Sequence, residues 1–490
     1  MGDEVKLSGE RRIASPAPGE VRQELGRPDR VVTFRGRSGN VPAMDPVPYF
    51  APEEETLDTD GLRVLQRRKL AALLTEVLGD NSGNRFYRDK LAGVRFDPLN
   101  DPLDRLPFTT RKELERDQGE HAPYGTNLTY PLERYCRFHQ TSGTSGRPMR
   151  WLDTAETWAW FRKCWATIFT AAGVHPADRV LFPFSFGPFL GFWGAFESAV
   201  AIGALALPAG GLSTSARLKL IADNAVTVVC CTPTYALHMA EVARQAGIDL
   251  RASTVRAVVV AGEPGGSIPE TRRAIESAWG ARLIDHHGMT ELGAASFECL
   301  PRPGEGVHVI ESEFIPEVID PATGSPLPEG ERGELVITNL GRVGSPLIRY
   351  RTGDQVRLVR GRCACGRWYG RLEGGILGRT DDMFTVRGNN VFPPALEAVL
   401  RRFPEVAEFR VLVHDRGALT QVALEIEPAP VVADVDGLAR RVGQAVQEGL
   451  HFRAEVKAVP PGTLPRFEMK AKRFVRTRDG GGEGKQDKAG

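Results

Sequence analysis

The alternation of apolar and polar positions divides the chain into distinct textures. Between Asp60 and Gly79, "DGLRVLQRRKLAALLTEVLG" sets apolar residues three and four apart, which predicts an amphipathic helix with Asp60 as candidate N-cap. From about Asp178 the pattern alternates continuous apolar runs with helix-period segments. "RVLFPFSF", "VTVVCCTP", "VRAVVVAGEP" and "ARLIDHHG" read as strands. Between them lie a Gly-rich apolar stretch through Ala201, "STSARLKLIADNA" capped by Ser213 or Ser215, "PTYALHMAEVARQAG" and "PETRRAIESAWG". Pro233 opens the third of these and Gly247 closes it, as helix ends prefer. Fully apolar strands separated by helices predict a parallel sheet covered on both faces. Ligands of such sheets bind beyond the carboxyl ends of the strands. Here those ends carry "GEP" and "HHGMTE".

From Val307 to Leu358 the pattern shortens to strands broken by Gly and Pro, which predicts a small β subdomain. After "GRTDD" (Gly378 to Asp382) it reads strand, helix, strand, strand, helix, strand, a compact α+β domain of about 100 residues. The chain therefore divides into an extension over 1–48, a large domain over 49–378, a small domain over 379–476 and a tail over 477–490. The extension and the tail are rich in Gly and charge without a sustained period and read as disordered. No internal repeat is visible.

Composition narrows the function without choosing it. The 490 residues exceed one core, and 63 basic against 62 acidic residues give no bulk attraction to nucleic acid or an anionic membrane. No apolar run approaches the ~20 residues that span a bilayer. The N-terminus has no apolar signal core, and seven scattered cysteines suit a reducing compartment, so the expectation is a cytoplasmic protein.

The chemistry begins at "QTSGTSGRPMRW", Gln140 to Trp151. A Walker loop needs glycines spaced further apart and a Lys-Ser/Thr pair opening a helix. Gly143 and Gly146 are separated by only two residues and Pro148 follows, so this is not that loop. Thr141, Ser142, Thr144 and Ser145 nevertheless offer four hydroxyls, and the glycines free backbone N–H groups to wrap an anion. Alone, the stretch reads equally well as a flexible polar loop.

Six short motifs stand in order along the chain: "TSGTSGRP", "AGEP", "HHGMTE", "RYRTGD", "GRTDDMFTVRGNNVFP" and "GTLPRFEMKAKR". Together with "YFAPEEETL" at Tyr49 and "LPFTTRKEL" at Leu106, this set resembles the adenylate-forming (ANL) enzymes, most closely their phenylacetate–CoA ligase branch. The resemblance implies an α/β fold: a large N-terminal adenylate-forming domain, built of parallel sheets with helices plus a β subdomain, and a small mobile α+β C-terminal domain. It implies that Thr141, Ser142, Gly143, Thr144, Ser145 and Gly146 hold the β- and γ-phosphates of ATP, with Gly262 and Glu263 of "AGEP" also in the nucleotide site. Thr290 would contact the α-phosphate and Glu291 would help hold Mg²⁺, a hard cation suited to carboxylate oxygen. Asp354 would accept from the ribose hydroxyls and Arg379 would add a donor there. His287 stands where relatives often carry an aromatic residue packed on adenine; imidazole is smaller but can still stack, and the alternative is that it turns towards the acyl substrate. Asp381 occupies the hinge position. Lys470 aligns with the catalytic lysine, preceded by Met469 where many relatives have Gly, and Lys472 is its rival.

The same resemblance implies a structural zinc held by Cys299, His308, Cys363 and Cys365, a closed tetrahedral shell. The alternative is four unmetallated side chains. In "FPFSFGPFLGFWGAFE", most aromatic residues are expected in the core, but the segment occupies the place where relatives line the acyl pocket. Phe184, Phe186 and Trp193 are the candidates to flank a flat ring, with Gly210 and Gly211 letting backbone approach it. The expectation is ATP- and Mg²⁺-dependent activation of an aryl acid and its transfer to coenzyme A. The rivals are transfer to a carrier-protein phosphopantetheine or an amine, and a nucleotide-binding protein that has lost catalysis. Homodimers occur in the branch, and one is possible here.

Overall fold

The computed structural model describes residues 49–141, 148–386, 389–416, 419–467 and 471–478. The extension over 1–48 lies outside them. The first long helix runs Thr59–Leu78 and is capped by Asp58, whose carboxylate accepts from the Gly61 N–H at 2.9 Å. This corrects the expected cap: Asp60 already lies inside the first turn, whereas Asp58 has the extended backbone a cap requires.

The strands Arg179–Phe182, Val228–Cys231, Ala257–Val260 and Arg282–Asp285 pair in parallel, joined by helices, as their apolar runs predict. A fifth strand, Leu205–Pro208, adds to the edge beside Arg179–Phe182. Successive residues point to opposite faces. Leu181, Val229, Val258 and Leu283 enter one core, while Val180, Val228, Val259 and Ile284 enter another. Each such aliphatic chain contributes roughly 1.5–3 kcal/mol by leaving water. The intervening helices start on their predicted residues. Ser213 accepts from Ala216 N–H at the head of Thr214–Asp223, and Pro233 opens Pro233–Gln245.

A seven-stranded antiparallel sheet follows, built from Ser296–Phe297, Gly306–Val309, Phe314–Ile319, Arg332–Asn339, Tyr350–Val359, Arg371–Glu373 and Gly378–Arg379. Beyond it a four-stranded mixed sheet carries its own core, including Leu396, Val411, Leu424, Leu438 and Val442. This last part holds two more strands than its pattern suggested. The first predicted strand is a hairpin, Phe384–Val386 with Asn389–Val391. The last divides into Glu455–Ala458 and Phe474–Arg478 at opposite edges of the sheet. The Phe474–Arg478 strand also runs two residues into the expected tail, because Thr477 and Arg478 pair with His414 and Asp415. Among the described residues no helix is long and apolar enough to cross a membrane.

Candidate active site

All five parallel strands deliver candidate residues or their neighbours to one rim of the sheet. Phe184 follows Arg179–Phe182, Gly210 and Gly211 follow Leu205–Pro208, and Thr232 follows Val228–Cys231. Gly262 and Glu263 follow Ala257–Val260, and His286 and His287 follow Arg282–Asp285. Gly262 turns the chain off the rim at φ +94°, a region that L side chains resist.

Thr290 and Glu291 sit at the turn of a tight hairpin, Gly288–Met289 against Gly293–Ala294. A Cβ on Gly293 would lie 2.2 Å from the Phe161 ring, so only glycine lets the turn pack this deeply. The Glu291 carboxylate is buried and meets Arg111 Nη1 at 3.2 Å. Arg111 belongs to "LPFTTRKEL", where Thr109 exchanges backbone hydrogen bonds with Arg349 and Arg351 on either side of Tyr350. Its role at the rim has no signal in period or spacing.

Asp354 and Arg379 are brought opposite each other by strand register, since Tyr350–Val359 pairs with Gly378–Arg379 at those residues. Arg379 Nη1 donates to Asp354 Oδ1 at 2.9 Å, and its other edge forks onto Asp381 at 2.9 and 3.0 Å. Burial works against the guanidinium's charge, but Asp354 and Asp381 outweigh it and hold its pKa above the ordinary arginine value. His287 Nε2 lies 3.1 Å from Asp354 Oδ2. His287, Asp354, Arg379 and Asp381 therefore form one chain of contacts. His286, beside them, is buried edge-on against Trp165, and burial pushes its pKa down to about 3, so it is neutral.

The Ser/Thr/Gly loop grows from a hairpin of Tyr135–Gln140 and Arg150–Thr154. Its base is closed by Thr141 N–H donating to Met149 O and by Met149 N–H donating to Thr141 Oγ1, both at 3.0 Å. Ser142, Gly143, Thr144, Ser145 and Gly146 lie outside the described residues. Gln140 N–H donates to Pro188 O, tying the hairpin to the aromatic segment.

In that segment Phe184 is buried and stacked on Phe192, with ring centroids 4.0 Å apart, and meets Phe182 and Phe186 edgewise. Phe186 lies 4.8 Å from the Trp193 ring, whose indole N–H donates to Gly187 O. A Cβ on Gly210 would come within 3.0 Å of Phe184 O, so the two strand ends touch through backbone. A substituted Gly211 would meet nothing.

Lys470 lies outside the described residues, but the chain after it is held at the rim. Ala471 N–H donates to Glu263 Oε2 and Thr234 N–H to Glu263 Oε1, each at 2.8 Å. In this arrangement both oxygens of Glu263 serve protein amides, so the side chain acts as a tether. Arg473 donates to Thr234 Oγ1, and Arg466 bridges Glu241 and Glu427. Lys472 is exposed.

Away from the rim, Cys299, His308, Cys363 and Cys365 are all buried, with ligand atoms within 4.8 Å of one another. Cys299 and Cys363 sulfurs are 3.7 Å apart, as are Cys365 Sγ and His308 Nε2. Tetrahedral ligation at Zn–S of about 2.3 Å requires sulfur–sulfur edges of about 3.8 Å. His308 Nδ1 lies 2.9 Å from Tyr369 O. A proton on Nδ1, donated to that carbonyl, leaves Nε2 free to ligate. The four donors thus fit a closed zinc shell in distance, chemistry and orientation.

Comparison with known proteins gives the family of the chain and of its fold. Residues 106–341 match the AMP-binding enzyme family and residues 388–478 its C-terminal domain. The chain is 33% identical over 443 residues to the phenylacetate-coenzyme A ligase of Thermus thermophilus, covering 86% of this chain and 97% of that one. Among solved structures it resembles 2-hydroxyisobutyryl-CoA ligase in the postadenylation state with 2-HIB-AMP, at TM-score 0.81 and 28% identity, over 89% of this chain and 94% of the other. Against that enzyme in the thioesterification state with 2-HIB-AMP and CoA the TM-score is 0.66, at 29% identity over 90% and 94%. The arrangement here is therefore nearer the postadenylation one.

Proposed function

Because the chain belongs to the AMP-binding enzyme family, alongside the phenylacetate-coenzyme A ligases, we propose that the acid it activates is aromatic. The reaction itself is ATP-dependent adenylation of a carboxylic acid followed by thioesterification with coenzyme A. The carboxylate attacks the α-phosphorus and pyrophosphate leaves; the thiol sulfur then attacks the acyl carbonyl, AMP leaves and the thiol proton passes to solvent. Bringing two anions together demands charge neutralisation and fixed geometry. Thr141 to Gly146 would cradle the departing pyrophosphate, Thr290 would hold the α-phosphate, and Glu291 would exchange its Arg111 contact for Mg²⁺. Asp354 and Arg379 would hold the ribose, with His287 against the adenine. Asp381 would be the hinge about which the small domain turns between the half-reactions.

The observation that carries the aromatic reading is the ring cluster at the rim, Phe184, Phe186, Phe192 and Trp193, with the Phe184 backbone close to Gly210. Stacked and edgewise contacts of this kind suit a flat ring. The test is ATP–pyrophosphate exchange across aryl acids, with 2-hydroxyisobutyrate and a long fatty acid as controls and no acceptor present. Exchange is expected with an aryl acid. Exchange with only the aliphatic controls would end the aromatic reading. Adding CoA, holo-carrier protein or an amine then identifies the acceptor.

We also infer that Cys299, His308, Cys363 and Cys365 hold a structural zinc; such a closed shell leaves no position for substrate. Purified protein is expected to carry one equivalent of zinc per chain. Cys363→Ser is expected to lose it and to melt several degrees lower, while exchange activity at low temperature persists. Metal-free protein with an unchanged melting temperature in the variant would end this reading.

A further inference from the structure

Asp153 and Arg342 form an ion pair whose side chains are both 0% exposed. Arg342 Nε donates to Asp153 Oδ1 and Nη2 to Oδ2, each at 2.8 Å. Its Nη1 donates to the carbonyls of Thr290 and Glu291 at 2.8 and 2.7 Å. The guanidinium is clamped between the Trp151 and Phe161 rings, each 4.8 Å from its central carbon. His139 Nδ1 stands 3.4 Å from Asp153 Oδ2, and the imidazole is stacked on Trp158. Burial alone would push the Asp153 carboxyl up, but Arg342, with His139, holds it below the usual carboxylate range.

The pair joins two pieces that must act on one nucleotide. Asp153 lies on the hairpin strand Arg150–Thr154, whose far end closes the base of the Ser/Thr/Gly loop. Arg342 holds Thr290 and Glu291 of the "MTE" turn by their main chain. A buried ion pair is poor value as stabilisation, since well-packed apolar residues of similar size often do as well or better. What apolar residues cannot do is bond two carbonyls and a carboxylate at fixed angles, as the guanidinium fork does.

We propose that Arg342 and Asp153 are positioning residues for adenylation, setting the distance between the phosphate-loop hairpin and the Thr290–Glu291 turn. This rests on the assignment of both segments to the nucleotide. The test compares Arg342→Lys and Asp153→Asn with the unaltered chain in three measurements: ATP–pyrophosphate exchange, thioester formation from supplied acyl-AMP and CoA, and melting temperature. Misplacement by an ångström costs up to about 10²-fold. Lysine keeps the charge but not the fork, so kcat for exchange is expected to fall roughly 30-fold with KM for ATP much less changed. The second half-reaction, which needs no triphosphate, is expected to stay within about threefold, under 1 kcal/mol. Equal losses in both half-reactions, tracking lost folded protein, would make the pair merely structural and overturn the proposal. Unchanged exchange in both variants would overturn it too. Exchange by the unaltered chain, measured in the same series, tests the underlying assignment separately.

Discussion

Lys470→Ala is expected to slow acyl-adenylate formation on the order of 10³-fold, the upper range for losing one preorganised charge donor at a developing anion. The cations in "FEMKAKR" that could lie between a carboxylate and an α-phosphate as negative charge gathers there are Lys470, Lys472 and Arg473. The chain just after Lys470 is anchored at the strand ends, because Ala471 N–H donates to Glu263 and Arg473 reaches Thr234. That anchoring holds Ala471, the next residue along the chain, at the rim. Lys472 is exposed, two residues on, and Arg473 beside it is turned into the small domain onto Glu408 at 2.6 Å. Lys472→Ala is therefore expected to keep adenylation within about threefold. The second half-reaction separates the role further. If Lys470 serves the first step only, the alanine variant supplied with acyl-AMP and CoA forms thioester at nearly the unaltered rate. An unchanged exchange rate in Lys470→Ala, or a large loss in Lys472→Ala, would move the assignment.

The elements of the parallel sheet were legible because its strands are buried on both faces and its helices Thr214–Asp223 and Pro233–Gln245 carry side-chain caps. "VTVVCCTP" and "VRAVVVAGEP" cannot sit comfortably anywhere but inside. The edge strand Leu205–Pro208 gave no such signal: it is four residues long and Leu205 is 58% exposed. The hairpin from Phe384 to Val391 reads as one strand because each arm has only three residues. Asp354 and Arg379 are 25 residues apart, and their meeting depends on register, which no local pattern encodes. Arg342 meets Asp153 across 189 residues. A lone arginine in a loop after a strand looks like any solvated charge. Only the packing of Trp151 and Phe161 around it shows that it is buried. Short motifs name residues that touch ligands; residues that hold those residues by their main chain leave no comparable mark.

Asp354→Ala is expected to lower kcat/KM for ATP by roughly 10²- to 10³-fold. A carboxylate accepting from two ribose hydroxyls makes two charge-assisted hydrogen bonds, each worth about 1.5–3 kcal/mol. The geometry gives the residue a second duty, since its oxygens also engage Arg379 and His287. Removing it would leave both to relax, so a loss of activity alone would not separate ribose binding from disorder at the hinge. Analogues do. If Asp354 bonds the ribose, the unaltered enzyme discriminates strongly against 2′-deoxy-ATP and 3′-deoxy-ATP, and Asp354→Ala treats all three nucleotides nearly alike. If Asp354 serves only to hold Arg379 and the hinge, the variant is slow with all three but keeps the same preference for ATP over its deoxy analogues. Arg379→Met completes the comparison. It leaves the Asp354 carboxylate in place, so it is expected to cost less with ATP and to retain most of the discrimination.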